Sequence, residues 1–298
     1  MNELQWEYPV ASLTTGFAFI TFQYPLDVVQ TRLQVHDGRL FSQYPRYNNT
    51  THAIFTIARK EGLKGLYAGF PAGLLGATIS WSLLVFYYGI VKDRHARSKV
   101  EKSGALMTVC LCANPAFVVK TRLQLQTPLH HARPYSGLYD AFRTIKREEG
   151  FSAFYRGIVP GFFLISQAAI QFIVYEQLRK TVVNLKTKGS KIQHQKPDQI
   201  LKSVDYAVLG ATSKVAALLS LHPIHVIRTR LQQRPDSDGI PRYKNSWHVV
   251  KETARFEGVR GFYKGITPNL LKNVPISSIA YIVYGKVLKL LKSARGKD

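Results

Sequence analysis

Cysteine and acid are both scarce in this chain. Of its 298 residues only Cys110 and Cys112 are cysteines, and both fall inside an apolar run. Their C-x-C spacing lacks the second pair that a zinc site needs, so the expectation is two buried free thiols and no metal centre. Asp and Glu number 18 against 41 Lys and Arg, a formal charge of +23. With so few carboxylates, and with histidines in no repeated catalytic spacing, neither an enzyme nor a bound cofactor is expected. The opening Met1-Asn-Glu-Leu-Gln-Trp-Glu7 has no basic region ahead of an apolar core and is not Arg-rich. Neither a secretory signal nor a transit peptide is expected there, so any organelle address is expected to be internal.

An excess of cations calls for an anionic partner: nucleic acid, a lipid surface or a solute. Nucleic acid is excluded as the expectation, because no helix-turn-helix, finger or RNP pattern appears and the bases are spread over connectors between uncharged spans. Those spans are what the chain has in abundance. Hydrophobic residues make up 46% and aromatics 12%, and the mean hydropathy of -0.09 only averages apolar runs with very basic connectors. Loop cations such as Lys60, Lys64, Arg94 and Arg97 are expected to meet anionic lipid headgroups.

The sequence also repeats itself. Thr31-Arg-Leu-Gln returns as Thr121-Arg-Leu-Gln and Thr229-Arg-Leu-Gln, each six residues after a proline: Pro25, Pro115 and Pro223. A second block keeps the same step, from Arg59-Lys-Glu-Gly through Arg147-Glu-Glu-Gly to Arg255-Phe-Glu-Gly, each closing seven residues later on Gly69, Gly157 or Gly265. Between them stand Arg46-Tyr-Asn-Asn, Pro134-Tyr-Ser-Gly and Arg242-Tyr-Lys-Asn, each opening an amphipathic stretch. Three units follow, divided at 1–98, 99–190 and 191–298.

Each unit reads as an apolar helix running through the proline into a polar half, a short amphipathic helix, and a second apolar helix. In the first amphipathic helix Ala53, Ile54, Ile57 and Ala58 share one face. The Glu-Gly pair ends it, since glycine takes a left-handed conformation cheaply. Phe70 to Val91 is 22 residues without a charge and Gly157 to Tyr175 is 19, enough to span a bilayer at about 20 residues. The proline-bearing stretches Pro9 to Val29 and Val204 to Ile227 carry Asp27, Lys214, His222 and His225, which are expected to face a protein interior or a water-filled cavity. Each proline frees a carbonyl that needs another partner, and three kinks about a pseudo-threefold axis pinch one end of a central cavity. Ser12 and Gly16 are expected to let helices pack closely. The third span has only 12 residues, Ser103 to Asn114, ahead of Pro115. Its first half is expected to lose one to two turns, with the connector from Lys92 to Lys102 unwound or drawn inward.

Pro25-Leu-Asp-Val-Val-Gln-Thr-Arg32, its two echoes and the Glu-Gly blocks resemble the mitochondrial carrier family over nearly the whole chain. The resemblance implies an all-α membrane protein with six transmembrane helices in three pseudo-threefold repeats, a central substrate site, and alternating access between two gates. It also implies a monomer in a mitochondrial inner membrane or a plastid envelope. Pro115-Ala-Phe-Val-Val-Lys120, with Phe117 where the motif has an acid, and Ala169-Ile-Gln-Phe-Ile-Val-Tyr-Glu176 are similar to the folate/FAD branch. The cargo implied is folate, with FAD or another nucleotide cofactor as the alternative, and a transport-impaired homologue as the rival.

Carried over by motif, the matrix gate pairs Asp27 with Lys120, Phe117 with Arg228 through a cation–aromatic contact, and His225 with Gln30 through at most a hydrogen bond. On the cytosolic side Tyr175-Glu176 with Arg179 fits the gate pattern. Tyr88-Gly89 with Lys92 lacks the acid, and Tyr284-Gly285 with Leu288 lacks both charges, so no complete bridge is expected there. Lys214 and Lys272 are the candidate cations for an anionic cargo. Lys214 has the alternative of pairing with a helix-end carbonyl, and Lys272 that of an ordinary structural role. Trp81 is a candidate to stack on a planar ring, or simply a packing residue. Phe163 and Leu164 occupy the fourth-span contact point, with Gln167 and Gln171 one turn apart beyond them.

Overall fold

The computed structural model describes residues 7–36, 47–93, 99–127, 134–189, 203–235 and 242–273. Among them every regular element is helical, and the threefold plan is explicit. The proline-bearing helices are α1 (Glu7–Val35), α4 (Lys99–Leu125) and α8 (Ser203–Leu231). The amphipathic helices are α2 (Thr50–Leu66), α5 (Leu138–Glu149) and α9 (Ser246–Glu257). The second helices of the units are α3 (Phe70–Asp93), the pair α6 (Ile158–Leu164) and α7 (Gln167–Gly189), and α10 (Ile266–Asn273). By length and hydropathy three stretches of the described residues can cross a membrane: Phe70–Tyr87, Leu106–Leu125 and Phe151–Lys186. Helices α1 and α8 have the length but are diluted by the polar residues of their second halves. Pro275, Tyr284, Gly285 and Leu288, on the expected sixth span, lie outside the described residues, as do Arg94 and Arg97.

Local chemistry explains the amphipathic helices. Asn49 and Asn245 cap α2 and α9, their side-chain oxygens accepting from the backbone N–H of His52 and His248 at 2.8 Å. At α5 the cap position is Gly137, and Asp140 accepts from the Ser136 N–H at 2.9 Å instead. Ala53 and Ile57 are fully buried against Val29 and Leu66, with Ile54 and Ala58 packed beside them, as their shared face predicts. The Glu-Gly glycine breaks α2 at Gly62, with φ of 69°, and ends α5 at Gly150 and α9 at Gly258, with φ of 78° and 62°. Their ψ values lie near 180°, which is not the left-handed helical region expected but one that essentially only glycine enters.

The carbonyl that Pro25 frees, on Thr21, accepts from the Tyr67 hydroxyl at 3.2 Å. The residue ahead of each proline reaches into its own unit's next turn. Tyr24 donates to the Ala68 carbonyl at 3.1 Å, Asn114 to Phe154 at 2.6 Å, and the His222 Nε2 pairs with Lys264 at 2.9 Å.

Three expectations are corrected. Helix α4 extends back to Lys99 and is 27 residues long against 29 for α1 and α8. The stretch Lys99 to Lys102 therefore continues the third span as helix, and 16 residues precede Pro115 against 18 in α1 and 20 in α8. The shortfall is about half a turn to one turn, less than expected, and residues 94–98 of the connector lie outside the described residues. Cys112 is exposed and Cys110 only half-buried, because this part of α4, with Leu111, turns an outer face away from its neighbours. A Cβ added at Gly16 would meet nothing within 4 Å, so that glycine seats no neighbour. The close approaches occur on the second helices instead. A Cβ at Gly69 would lie 2.9 Å from the Lys120 carbonyl, and one at Gly265 3.0 Å from that of Gln30.

Candidate functional site

The polar ends of α1, α4 and α8 converge, and the Thr-Arg-Leu-Gln strings join them in rotation. Thr31 donates to the Gln124 side-chain oxygen at 2.8 Å, Thr121 to Gln232 at 2.9 Å, and Thr229 back to Gln34 at 2.8 Å. The arginines follow the same order. The Nε of Arg32, Arg122 and Arg230 donates to the carbonyls of Gln124, Gln232 and Gln34. A bare guanidinium in such a place is costly, and each is met by the glutamate of its own unit's Glu-Gly pair. Arg32 binds Glu61 at 2.5 Å, Arg122 binds Glu149, and Arg230 binds Glu257 at 2.6 Å. These glutamines and glutamates recur at fixed offsets in all three repeated strings, which is the sequence signal of their shared role.

Immediately above lies a charged layer. The Lys120 ammonium sits 2.6 Å from Asp27, as the motif pairing predicts, and Gln124 donates to the same carboxylate oxygen at 3.0 Å. The Arg228 guanidinium lies 5.7 Å from the centroid of the Phe117 ring and donates to Asn114 at 3.1 Å. The third pairing differs from expectation. His225 bonds Gln167 at 3.2 Å, and Gln30 accepts from Lys272 at 2.8 Å, so the His225–Gln30 contact is not made. The physical reason is competition. An ammonium is a better partner for the Gln30 oxygen than an imidazole, and Lys272 is also 2.6 Å from the free oxygen of Asp27. Lys272 therefore belongs to this layer and is already paired.

This layer and the threonine–glutamine ring beneath it together line a cavity of about 270 Å³ built from all three units. Lys120, Arg228 and Lys272 face it against the carboxylate of Asp27, with Gln30, Phe117, Gln167 and His225 also in the wall. Leu218 lines it too, and Lys214 lies one turn further along the same face of α8. Lys214 is half-buried and forms no ion pair or side-chain hydrogen bond among the described residues. Gln171 stands one turn from Gln167 on α7. Leu164 is half-buried, while Trp81 and Phe163 are 68% and 61% exposed. These three and Gln171 are not brought into the cavity wall.

On the opposite side Arg179 approaches Glu176 at 3.7 Å, one turn apart on the same helix, so this pair does not bridge two units. The backbone of Lys92 is the penultimate position of α3, and its side chain lies outside the described residues.

Comparison with known proteins agrees with this architecture. A family model described as "Mitochondrial carrier protein" matches residues 3–99, 103–186 and 200–295. The chain is 57% identical to the chloroplastic folate transporter 1 of Arabidopsis thaliana, over 97% of this chain and 96% of that protein. It is 32% identical to the mitochondrial nicotinamide adenine dinucleotide transporter 1 of Saccharomyces cerevisiae, over 87% and 70% of the two chains. Identity to the chloroplastic nicotinamide adenine dinucleotide transporter 1 of Arabidopsis thaliana is 31%, over 94% and 90%.

Proposed function

Because this chain belongs to the mitochondrial carrier family, a transporter family, we propose that it carries folate across an organelle membrane by alternating access. The observation that carries the reading is the charge imbalance of the cavity floor, where three cations face one carboxylate. Water is a poor competitor in such a confined place, and a solute that brings two negative charges neutralises the floor. Folate does so through its glutamate tail and offers a planar ring to the aromatic and aliphatic surfaces above. The 57% identity to a folate transporter over nearly the whole of both chains supports this choice. That relative's chloroplast location favours a plastid envelope over a mitochondrial inner membrane.

In this reading Asp27, Lys120, Phe117 and Arg228 form the matrix-side gate with Gln30 and His225 beside it. Lys214 and Lys272 take the anion with Gln167 beside them in the cavity, while Trp81, Phe163, Leu164 and Gln171, outside its wall in this state, meet the cargo elsewhere along its path. Glu176, Arg179 and Lys92 contribute little to a cytosolic closure made mainly by packing. The protein works as a monomer among anionic lipids.

A nucleotide cargo such as FAD is the second reading. The similarity to two dinucleotide transporters and the aromatic Phe117 in place of an acid favour it. Purified protein in liposomes, offered labelled folate, FAD and nicotinamide adenine dinucleotide in parallel, tests both. Saturable folate uptake, competed by excess unlabelled folate, is expected. Uptake of either dinucleotide with none of folate overturns the primary reading.

A further inference from the structure

The base position of the proline motif, five residues after the proline, holds Lys120 in the second unit and Arg228 in the third, but Gln30 in the first. The second helix of each unit starts against that position of the next unit. Gly69 abuts the carbonyl of Lys120, Gly157 that of Arg228, and Gly265 that of Gln30. Seven residues after each of these glycines, two turns along the same face, stand Gly76, Leu164 and Lys272. Where the motif supplies a base, the facing residue is uncharged; where it supplies an amide, the facing residue is a lysine. That lysine reaches both Gln30 at 2.8 Å and the open oxygen of Asp27 at 2.6 Å.

We propose that Lys272 is the third arm of the gate, displaced from the motif onto the last helix, and that an anionic cargo opens the gate by drawing this ammonium off Asp27. The second half rests on the anionic cargo proposed above; the first half does not. Asp27 joins α1 to α4 through Lys120 and to α10 through Lys272, so the first unit is fastened on both sides by one carboxylate. Lys272 lines the cavity at the same time. An incoming carboxylate competes with Asp27 for the same ammonium, and binding therefore removes one fastening, whereas Lys120 stays in place. A base at position 30 would stand three residues from Asp27 on the same helix, so it could neither join α1 to α10 nor follow the cargo.

The test has two independent readouts on full-length protein. Thermal midpoints without cargo report the fastening. Lys272→Gln is expected to lower the midpoint by several degrees and Lys272→Arg to leave it near wild type. On an Asp27→Asn background Lys272→Gln is expected to cause no further loss. Additive losses from Asp27→Asn and Lys272→Gln, or a Lys272→Gln midpoint equal to wild type, overturn the gate arm. Should Lys272→Gln not insert, Lys272→Met takes its place in the same cycle with Asp27→Asn. Folate uptake into liposomes reports the coupling. Lys272→Gln is expected to transport at least tenfold more slowly than wild type although its closed gate is looser, which loss of a purely structural tether would not cause; wild-type rates overturn the coupling. If the wild type takes up no folate, the cargo assignment fails while the midpoints still decide the gate arm.

Discussion

Gln124 donates its side-chain N–H to Asp27 at 3.0 Å, whereas the matching nitrogens of Gln34 and Gln232 are buried with no hydrogen-bond partner among the described residues. The difference follows from the motif. The acid position two residues after the proline is Asp27 in the first unit but Phe117 and His225 in the others, so two of the three amides have no carboxylate to meet. An unmet buried donor costs about 1–3 kcal/mol, and both lie at the level that closes the bundle.

Phe117→Asp supplies the missing carboxylate to Arg228 and Gln232 together. A contact of about 0.5–2 kcal/mol between guanidinium and ring is exchanged for charge-assisted hydrogen bonds of about 1.5–3 kcal/mol. The closed state deepens, the thermal midpoint rises, and uptake slows by roughly tenfold, the equivalent of about 1.4 kcal/mol. Initial rates in liposomes check this; an unchanged rate with a raised midpoint rules out closure as the slow step.

Exchanging Asp27 and Lys120 gives a graded result. Each single substitution, Asp27→Lys or Lys120→Asp, leaves like charges facing and is expected to abolish transport. The double exchange restores that pair but leaves Lys272 without its carboxylate, so only partial uptake returns. Normal transport by either single variant removes this pair from the gate.

Lys214→Ala deletes a cation that has no protein partner among the described residues. Uptake is expected to fall by about 30-fold or more, from the loss of about 2 kcal/mol of contact with the anion, while membrane insertion and the thermal midpoint stay unchanged. Lys214→Arg is expected to retain most activity. A lowered midpoint for Lys214→Ala would assign the residue to packing instead.

Acid sensitivity centres on Glu257. Burial alone would push its carboxyl up, but the hydrogen bonds and charge of Arg230 and the nearby Lys264 outweigh that and hold it below its ordinary range. A carboxylate depressed in the fold stabilises fully above its unfolded value, near 4.3, and loses that contribution as pH falls through the depressed value. Glu257→Gln is therefore expected to destabilise at neutral pH, by up to about 3–5 kcal/mol since Arg230 is left buried and unpaired. It should also flatten the acid limb of a midpoint-against-pH profile, and an unchanged slope would refute the assignment.

Much of this was legible in the sequence because three copies of one string report each other. The prolines and the Glu-Gly breaks are local offsets within a repeat, and offsets survive folding; the Asp27–Lys120 pair joins two repeats and was read from the motif pairing of the family it resembles. What could not be read is what depends on contacts between units. Lys272 looked like a cargo residue because its helix was known but its neighbour was not; only the seating of Gly265 on Gln30 shows which partner it meets. His225 was matched to Gln30 by motif position, and the choice of Gln167 instead reflects a competition that no spacing encodes. The third span looked short because Lys99 to Lys102 is charged, although charged residues are good helix formers at a membrane edge.

Each threonine hands its hydroxyl to the next unit's glutamine, so α1, α4 and α8 are tied in a closed ring. Parting any one of these joints strands a hydroxyl and an amide in a dry place while the other two still hold the geometry shut, so a half-parted floor is sparsely populated. Small ions and protons then find no partial leak through which to slip, and the membrane's electrochemical gradients survive the carrier's idle periods.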